Sequence, residues 1–384
     1  MNSLFPTYLR WNIEPEHAKG SWLTSTEGKE YLDFTSGIGV TNLGHCNDQV
    51  TEAIQTQLGK FWHTSNMFLI GVQQKAADLL AEAAGLDCVF FSNSGAEANE
   101  AAIKLARKAT TRNKIVTFHN SFHGRTFATM AATGQDKIKT GYGPMLPTFE
   151  YVSFNDSAEL LKAVDEDTAA VMLEIVQGEG GIHVAQQEFL NTITEACRAK
   201  GALIIVDEVQ TGIGRTGKPF AYQHFDFKPD IITSAKGLGN GLPIGAMIGK
   251  KELAEYFGPG SHGSTFGGNP LCASAAVAVL QTIMQPGFME EAAKKGEYLQ
   301  NALKKVMEDT KMVKDLRTFG LMAGIELNVE AQQALLDLQE QGLLVLTAGP
   351  NVLRLLPPLT VEYAEIDTAV EKISKILSES LTVS

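Results

Sequence analysis

Two charged side chains stand at the ends of apolar runs, where they could do chemistry. Asp207 closes the run ALIIVD, and Lys236 comes directly after the run IITSA. A charge at the end of a buried strand is costly unless it is paired. In open parallel sheets, ligands bind beyond the carboxyl ends of the strands, where both side chains would lie. A partly desolvated lysine also loses its proton readily and becomes a nucleophile. The alternatives are a carboxylate that caps a neighbouring loop and a lysine in a surface loop.

A third feature is a turn that could hold an anion. The segment FSNSGAEANE follows an apolar run and opens a helical pattern. Ser94 and Glu97 fit the S-x-x-E capping box, and Gly95 lets another group approach the backbone closely. The N–H groups and the dipole at the start of a helix attract phosphate or carboxylate. The alternative is a well-capped helix that binds nothing.

Two further motifs predict less. The segment GIGRTG, residues 212–217, matches G-x-G-x-x-G and continues as GIGRTGK towards a P-loop. Pro219 stands where a P-loop needs Ser or Thr, and little helical periodicity follows, so a glycine-rich turn is favoured over a nucleotide-binding loop. His119 and His123 are four residues apart, but no third ligand lies nearby, and we predict no metal site.

The three stronger features together meet the chemical needs of one cofactor. Pyridoxal phosphate requires an anion cradle for its phosphate, a carboxylate for its pyridinium nitrogen and a lysine for its aldehyde. A capped helix start, a strand-end aspartate and a strand-end lysine provide these groups. The sequence therefore predicts pyridoxal phosphate as the cofactor.

Apolar runs alternate with helical patterns through the middle of the chain. This arrangement predicts an α/β fold with a mostly parallel central sheet covered by helices on both faces. The predicted strands span residues 88–91, 114–118, 169–176, 202–208, 230–235 and 244–249. The predicted helices include residues 98–109 and 189–197, a long stretch over 272–310 and a closing amphipathic helix over 366–377.

We expect two domains in a chain of 384 residues. Residues 51–270 would form the large cofactor-binding α/β domain. Residues 1–50 and 271–384 would form a smaller α+β domain, with short strands at 320–327 and 351–358.

Composition narrows the classes of partner. A formal net charge of −12 disfavours binding to nucleic acid or to an anionic membrane. The four cysteines lie far apart, which suits a reducing compartment rather than a disulfide framework. Neither a signal-peptide pattern nor an apolar run of membrane-spanning length is visible. We therefore expect a soluble cytoplasmic protein that binds small molecules.

Many ordered segments resemble one family, the class III pyridoxal-phosphate aminotransferases. The resemblance runs almost end to end and implies a fold type I transferase that forms a homodimer with shared active sites. The segments that carry it are YLDFTSGIGVTNLGH, FWHTSN, NSGAEANEAAIKLAR, FHNSFHGRT, EIVQGEGG, VDEVQTGIGRTG, SAKGLGNGLPIGA and HGSTFGGNP.

The resemblance also implies which residues hold the cofactor. Lys236 would bond to the aldehyde as a Schiff base and carry protons, and Asp207 would keep the ring nitrogen protonated. Gln210 would approach the phenolic oxygen, and Phe122 would stack on the ring. The other implied cofactor contacts are Ser94, Gly95, Ala96, Glu208, Val209 and, from the partner subunit, Thr265.

The substrate contacts implied by the resemblance centre on arginines. Arg354 would grip the α-carboxylate of glutamate, and Glu179 would neutralise it when the donor is an ω-amine. Arg125, with Ser264, would bind the distal end of the substrate, since planar arginines suit carboxylates. The segment GIGVTNLGH favours N-acetylornithine as the donor, with 2-oxoglutarate as the acceptor. Succinylornithine, ornithine and γ-aminobutyrate are the alternative donors.

Overall fold

The computed structural model describes residues 3–308 and 310–379. The strands of this part are β1 (Pro15–Lys19), β2 (Trp22–Ser25), β3 (Glu30–Asp33), β4 (Cys88–Ser92), β5 (Lys114–Phe118), β6 (Phe149–Val152), β7 (Thr168–Leu173), β8 (Val176–Gln177), β9 (His183–Val184), β10 (Leu203–Asp207), β11 (Ile231–Ser234), β12 (Gly245–Gly249), β13 (Val313–Phe319), β14 (Met322–Leu327), β15 (Leu343–Leu344), β16 (Leu346–Thr347) and β17 (Val352–Leu355). The α-helices are α1 (Ser36–Gly39), α2 (Asp48–Leu58), α3 (Gly71–Ala84), α4 (Gly95–Thr110), α5 (Phe127–Ala132), α6 (Ser157–Ala163), α7 (Gln187–Lys200), α8 (Pro270–Ile283), α9 (Phe288–Glu308), α10 (Gln332–Glu340) and α11 (Tyr363–Glu379).

A seven-stranded sheet forms the centre, in the order β4-β12-β11-β10-β7-β5-β6. The pairs that join β11, β10, β7, β5 and β6 are parallel, and β12 runs antiparallel to both of its neighbours. Every residue of β7, β11 and β12 is buried, because helices cover both faces of the sheet. The predicted α/β class with a mostly parallel sheet is confirmed. Because β12 is antiparallel to both β4 and β11, β4 runs in the same direction as the five parallel strands. Six strands therefore have their carboxyl ends at the same edge of the sheet.

One predicted strand is shorter than its apolar run. The run over residues 169–176 leaves the sheet after Leu173, and Val176–Gln177 pairs separately with His183–Val184. The intervening Glu174 carries a carboxyl group, and the chain turns there towards the edge of the sheet. Apolarity alone did not reveal this turn, because Ile175 and Val176 are as buried as the strand itself.

The long helical stretch predicted over 272–310 is two helices. Helix α8 ends at Ile283, and α9 begins at Phe288 after a bend of 76°. Pro286 and Gly287, with φ of +83° at the glycine, explain the break. Position 309 lies outside the described residues. In the described part of the chain, no single helix is long and apolar enough to cross a membrane, and only the bent pair α8 and α9 reaches that length and composition together.

Both ends of the chain build the smaller sheets. One sheet has the order β1-β2-β3-β15, in which β3 pairs in parallel with β15 across more than 300 residues. The other has the order β13-β14-β17-β16 and carries Arg354 on β17. The predicted domain boundaries, 1–50, 51–270 and 271–384, stay a prediction, and residues 380–384 lie outside the described part.

The glycine-rich loop GIGRTG is a buried turn that joins distant segments. No α-helix follows it, and the chain enters a short 3-10 turn at Ala221–His224. Arg215 is completely buried, and its guanidinium donates to the backbone oxygens of Leu321 and Pro357 and, at 2.6 Å, to Oδ1 of Asn42. Burial lowers the pKa of Arg215 to about 9. The nucleotide-binding interpretation receives no support, since the one cation of this loop is used inside the protein.

We expect Arg215→Ala to destabilise the fold strongly. The change leaves buried carbonyl oxygens without donors, so the free energy of unfolding should fall by about 3 kcal/mol or more in urea titrations. Arg198→Ala, at an exposed position in the last turn of α7, is the matched control and should change stability by less than about 0.5 kcal/mol. An equal effect of the two substitutions would contradict this role for Arg215.

Candidate active site

A cavity of about 460 Å³ lies where the central strands end. The turns after β4, β5, β7, β10 and β11 line it, together with Val40 from the N-terminal part of the chain. Parallel strands bring these turns to a single edge, as the sequence predicted. The predicted site residues that line the cavity are Ser94, Gly95, Ala96, Phe122, Arg125, Glu179, Asp207, Val209, Gln210 and Lys236.

One wall of the cavity is the start of α4. Ser94 caps the helix, and its side-chain oxygen accepts the N–H of Glu97 at 3.2 Å. Glu97 does not return to Ser94 but accepts the N–H of Asn93 at 2.7 Å, so only half of the predicted capping box forms. The first N–H groups of the helix, at Gly95 and Ala96, have no acceptor within the helix. They are available to an anion in the cavity.

Gly95 is required by the contact between this helix start and β10. A Cβ at this position would lie 2.6 Å from Cγ1 and 2.8 Å from Cγ2 of Val209. The valine belongs to the turn directly after Asp207. The absence of a side chain at Gly95 therefore allows the anion cradle and the aspartate to share one small cavity.

Asp207 is a fixed hydrogen-bond acceptor at the base of the cavity. Its Oδ1 accepts the N–H of Val209 at 3.0 Å. Its Oδ2 accepts from the amide of Asn99 and from Nδ1 of His123, each at 2.8 Å. Thr233 in turn donates to Oδ1 of Asn99 at 2.6 Å, which fixes the orientation of that amide. Three donors therefore hold the carboxylate of Asp207 in one orientation.

Asn99 and His123 were missed as partners of Asp207. The sequence placed His123 only in a weak metal pair with His119, whereas its ring contacts the aspartate and Thr117. Asn99 lies on the buried face of α4, where alanines surround it. A polar amide on an otherwise apolar helix face is the signal that could have identified it.

Lys236 occupies a strained position at the wall of the cavity. It begins a 3-10 turn and has φ of +46°, a conformation that non-glycine residues rarely adopt. Burial lowers the pKa of its ammonium, although Glu179 and other nearby carboxylates act in the opposite direction. Among the described residues the ammonium has no hydrogen-bond partner, so it is left to interact with a ligand.

An ion pair closes the opposite side of the cavity. Nη1 of Arg354, on β17, lies 2.6 Å from Oε1 of Glu179 and also donates to the backbone oxygen of Gly178 and to Oε1 of Gln210. Arg354 is buried, whereas the side chain of Glu179 is 31% exposed. Burial raises the pKa of Glu179, but Arg354 and Lys236 outweigh burial and leave it below its usual value.

Arg125 lies at the mouth of the cavity. Its side chain is exposed, with the guanidinium carbon 5.8 Å from the centre of the Phe122 ring. A cation at the entrance and an aromatic ring further in suit a ligand that is planar and anionic.

Besides Arg354, which pairs with the lining Glu179, three predicted contacts are not among the residues that line the cavity. Ser264 accepts hydrogen bonds from the side chain of Asn93 at 3.2 Å and from a backbone N–H, and Thr265 is exposed. Glu208, the residue after β10, is completely buried, and its carboxyl group accepts the backbone N–H of Tyr222 and the hydroxyl of Thr211. Burial raises the pKa of Glu208 to about 7. The cofactor and substrate roles of these three residues stay predictions.

The residues of the cavity fit pyridoxal phosphate. A helix start offers free N–H groups to a phosphate, a fixed carboxylate suits a protonated ring nitrogen, and a lysine without a partner suits an aldehyde. The close contact of Gly95 with Val209 keeps the first two within one cavity. A parallel sheet that holds this set at its carboxyl edge defines an enzyme of the pyridoxal-phosphate class.

Comparisons with known proteins identify the family. The model of the class III aminotransferases matches residues 7–377. The chain is 56% identical to acetylornithine aminotransferase of Bacillus subtilis, with 100% of both chains covered. The ornithine aminotransferase of Toxoplasma gondii, whose active site is partly occupied by pyridoxal phosphate, superposes with a TM-score of 0.94 at 31% identity over 99% of this chain and 93% of that one. The acetylornithine aminotransferase of Elizabethkingia anophelis gives 0.88 at 33% identity over 98% and 96%. The chain belongs to the class III aminotransferases and uses pyridoxal phosphate.

We expect Gly95→Ala to be destabilising because its Cβ would overlap the side chain of Val209. Overpacking of this kind costs about 1–3 kcal/mol, which urea unfolding of the holoenzyme would measure. Val209→Ala in the same chain removes the overlapping carbons, so the double variant should lose less than the sum of the single variants. Gly71→Ala, at the first residue of α3 with open space around it, is the matched control and should be neutral or slightly stabilising. Additive losses at Gly95 and Val209 would contradict the contact.

Proposed function

We propose that this enzyme transfers the δ-amino group of N2-acetyl-L-ornithine to 2-oxoglutarate. The products are N-acetyl-L-glutamate 5-semialdehyde and L-glutamate, and the reaction belongs to arginine biosynthesis. The observation that carries the proposal is the 56% identity, over both full lengths, to the protein named acetylornithine aminotransferase in Bacillus subtilis. Likeness to ornithine aminotransferase rests on 31% identity and is matched by the 33% to an acetylornithine aminotransferase structure. The alternative donors are therefore less well supported.

The lining residues divide the work of holding the cofactor. The N–H groups at Ser94, Gly95 and Ala96 would bind its phosphate, and Asp207 would accept a hydrogen bond from its protonated ring nitrogen. The ring of Phe122 would pack on the planar face. When bound, pyridoxal phosphate supplies an aldehyde that carries the amino group and a ring that accepts electrons. Gln210 lines the same cavity and would lie beside the phenolic oxygen of the cofactor.

Lys236 would provide the base. Because burial lowers its pKa, its ε-amine gives up a proton more readily than an exposed lysine does. The amine of Lys236 would then move a proton between the substrate carbon that bears the amino group and the carbon on the other side of that nitrogen. No other lysine lines the cavity in the described part of the chain.

Arg354 and Glu179 would allow two amino donors to use one site. While Arg354 and Glu179 are paired, the cavity presents no net charge there. This suits an ω-amine donor, because the carbon that bears its reacting amine carries no carboxylate. When glutamate binds, Glu179 would release Arg354 to take a carboxylate. Nε of Arg354 is buried without a partner among the described residues, so the guanidinium has a second donor for a bidentate contact. Arg125 would hold the other carboxylate at the mouth.

The predicted homodimer has support from the surface. Large apolar side chains are exposed over residues 61–69, where Met67 is 91% exposed and Leu69 is fully exposed, and Phe266 is exposed beside Thr265. A second copy would cover such a surface. Thr265 lies outside its own cavity, as expected if it serves the site of the partner. We also place the enzyme in the cytoplasm, which suits its four unpaired cysteines.

We expect Lys236→Ala to abolish the visible absorbance of the bound cofactor and its trapping by borohydride. Loss of the base should lower kcat by about 10²–10⁴-fold or more in a coupled glutamate assay. Lys228→Ala, at an exposed position, is the control and should retain both spectrum and rate. A variant at position 236 that kept its absorbance and trapping would overturn the assigned role.

A panel of amino donors tests the proposed substrate. With 2-oxoglutarate fixed, we expect kcat/KM for N-acetylornithine to exceed that for ornithine and γ-aminobutyrate by about tenfold or more, because differential binding sets specificity. Succinylornithine belongs in the same panel, since it differs from N-acetylornithine only in the acyl group on the α-nitrogen. Faster turnover of ornithine or γ-aminobutyrate would show that the assignment is wrong.

A further inference from the structure

Glu174 is a buried acid in the active-site cavity that the proposed function leaves without a role. It is the first residue after β7, at the same edge of the sheet as Asp207. Its side chain lines the cavity, and the residue is only 7% exposed. A carboxyl group so far from water needs either a cation of its own or a proton.

The two oxygens of Glu174 have different surroundings. Oε2 accepts the backbone N–H of Phe122 at 3.1 Å. Oε1 has no hydrogen-bond partner among the described residues and is not sealed from the cavity. One oxygen therefore holds the segment that carries the aromatic ring, and the other faces the space that a ligand would fill.

The charges around Glu174 favour its uncharged form. Burial is the main reason that its pKa lies well above the usual value, and the negative charge of Asp207 raises it further. Glu179 acts in the same direction, whereas the N–H of Phe122 and the ammonium of Lys236 oppose the shift. The remaining charged or titratable groups at the cavity already have other partners or lie at its mouth: His123, Arg354 and Arg125.

We propose that Glu174 is an uncharged carboxylic acid that positions Phe122 through Oε2 and donates a hydrogen bond from Oε1 to an anionic oxygen of the bound ligand. The proposal rests on the proposed use of this cavity for pyridoxal phosphate and an amino acid. Both ligands carry anionic oxygens, which an ionised Glu174 would repel and a protonated one would bind.

Thermal unfolding of the holoenzyme between pH 5.5 and 8.5 tests the protonation. A group whose pKa is raised on folding stabilises the protein below its unfolded pKa, and this stability is lost as the pH rises through the folded pKa. Glu174→Gln carries a neutral amide at every pH. The difference between the Tm of this variant and the Tm of the unchanged enzyme should therefore increase as the pH rises. Glu330→Gln, at an exposed position, is the matched control and should run parallel to the unchanged enzyme.

Kinetics test the hydrogen bond. Glu174→Gln keeps both an acceptor for Phe122 and a donor for the ligand, so kcat/KM should fall by no more than about threefold. Glu174→Leu keeps the approximate volume without either group and should lose about tenfold or more. If the acceptor is on the cofactor, the leucine variant binds pyridoxal phosphate more weakly in titrations of the apoenzyme. If the acceptor is on the substrate, cofactor affinity is unchanged and KM rises.

Two results would overturn the proposal. One is a set of parallel pH curves for Glu174→Gln and the unchanged enzyme, which would mean that Glu174 is ionised. The other is a glutamine variant that loses as much kcat/KM as the leucine variant. The pH curves use the glutamine variant alone, so the test survives poor folding of the leucine variant. Faster turnover of ornithine or γ-aminobutyrate than of N-acetylornithine would refute the proposed substrate and leave the pH curves of Glu174 unaffected.

Discussion

The pairing register of the parallel strands decides which charged groups meet. In the pair formed by β10 and β7, Val206 lies opposite Leu173. The next residues along the two strands, Asp207 and Glu174, therefore reach the edge side by side. Lys236 arrives at the same edge from β11, on the other side of β10. A slip of one residue would turn each of these side chains to the opposite face, where helices bury apolar residues. The pairing register of the strands thus fixes the geometry of the polar site.

The cavity holds three carboxyl groups in close proximity, and each is stabilised in a different way. Asp207 accepts hydrogen bonds from three N–H donors, and the carboxylate of Glu179 is paired with Arg354. Glu174 has a single backbone N–H and no cation of its own. Groups of one type whose surroundings separate their pKa values are the usual basis of acid–base chemistry in a shared site. The same arrangement limits the electrostatic cost of gathering acids around a buried lysine.

The sequence predicted the strands and the site residues that follow from local pattern. Apolar runs located the central strands. A charged residue directly after such a run predicted that Asp207 and Lys236 lie at the edge of the sheet, and both line the cavity there. The break between α8 and α9 was missed although Pro286 and Gly287 marked it. The partners of Asp207 could not be predicted, since they come from α4 and from the turn after β5, and only the folded sheet brings them within 2.8 Å. Glu174 was also missed, because it lies within the apolar run over residues 169–176 and its contact with Phe122 forms only in the folded protein.

The glycines of the chain reflect close approaches around this cavity. At Gly95 a side chain would overlap Val209, and at Gly178 it would overlap the amide of Gln210. Both contacts join a loop to the turn after Asp207, so the cradle, the ion pair of Arg354 and the aspartate turn are packed against one another without intervening side chains. Because these contacts are close, the cradle, the ion pair and Asp207 surround one cavity of about 460 Å³. Gly95 and Gly178 therefore set how closely the cradle and the ion pair can approach the turn after Asp207, since a side chain at either position would push these segments apart.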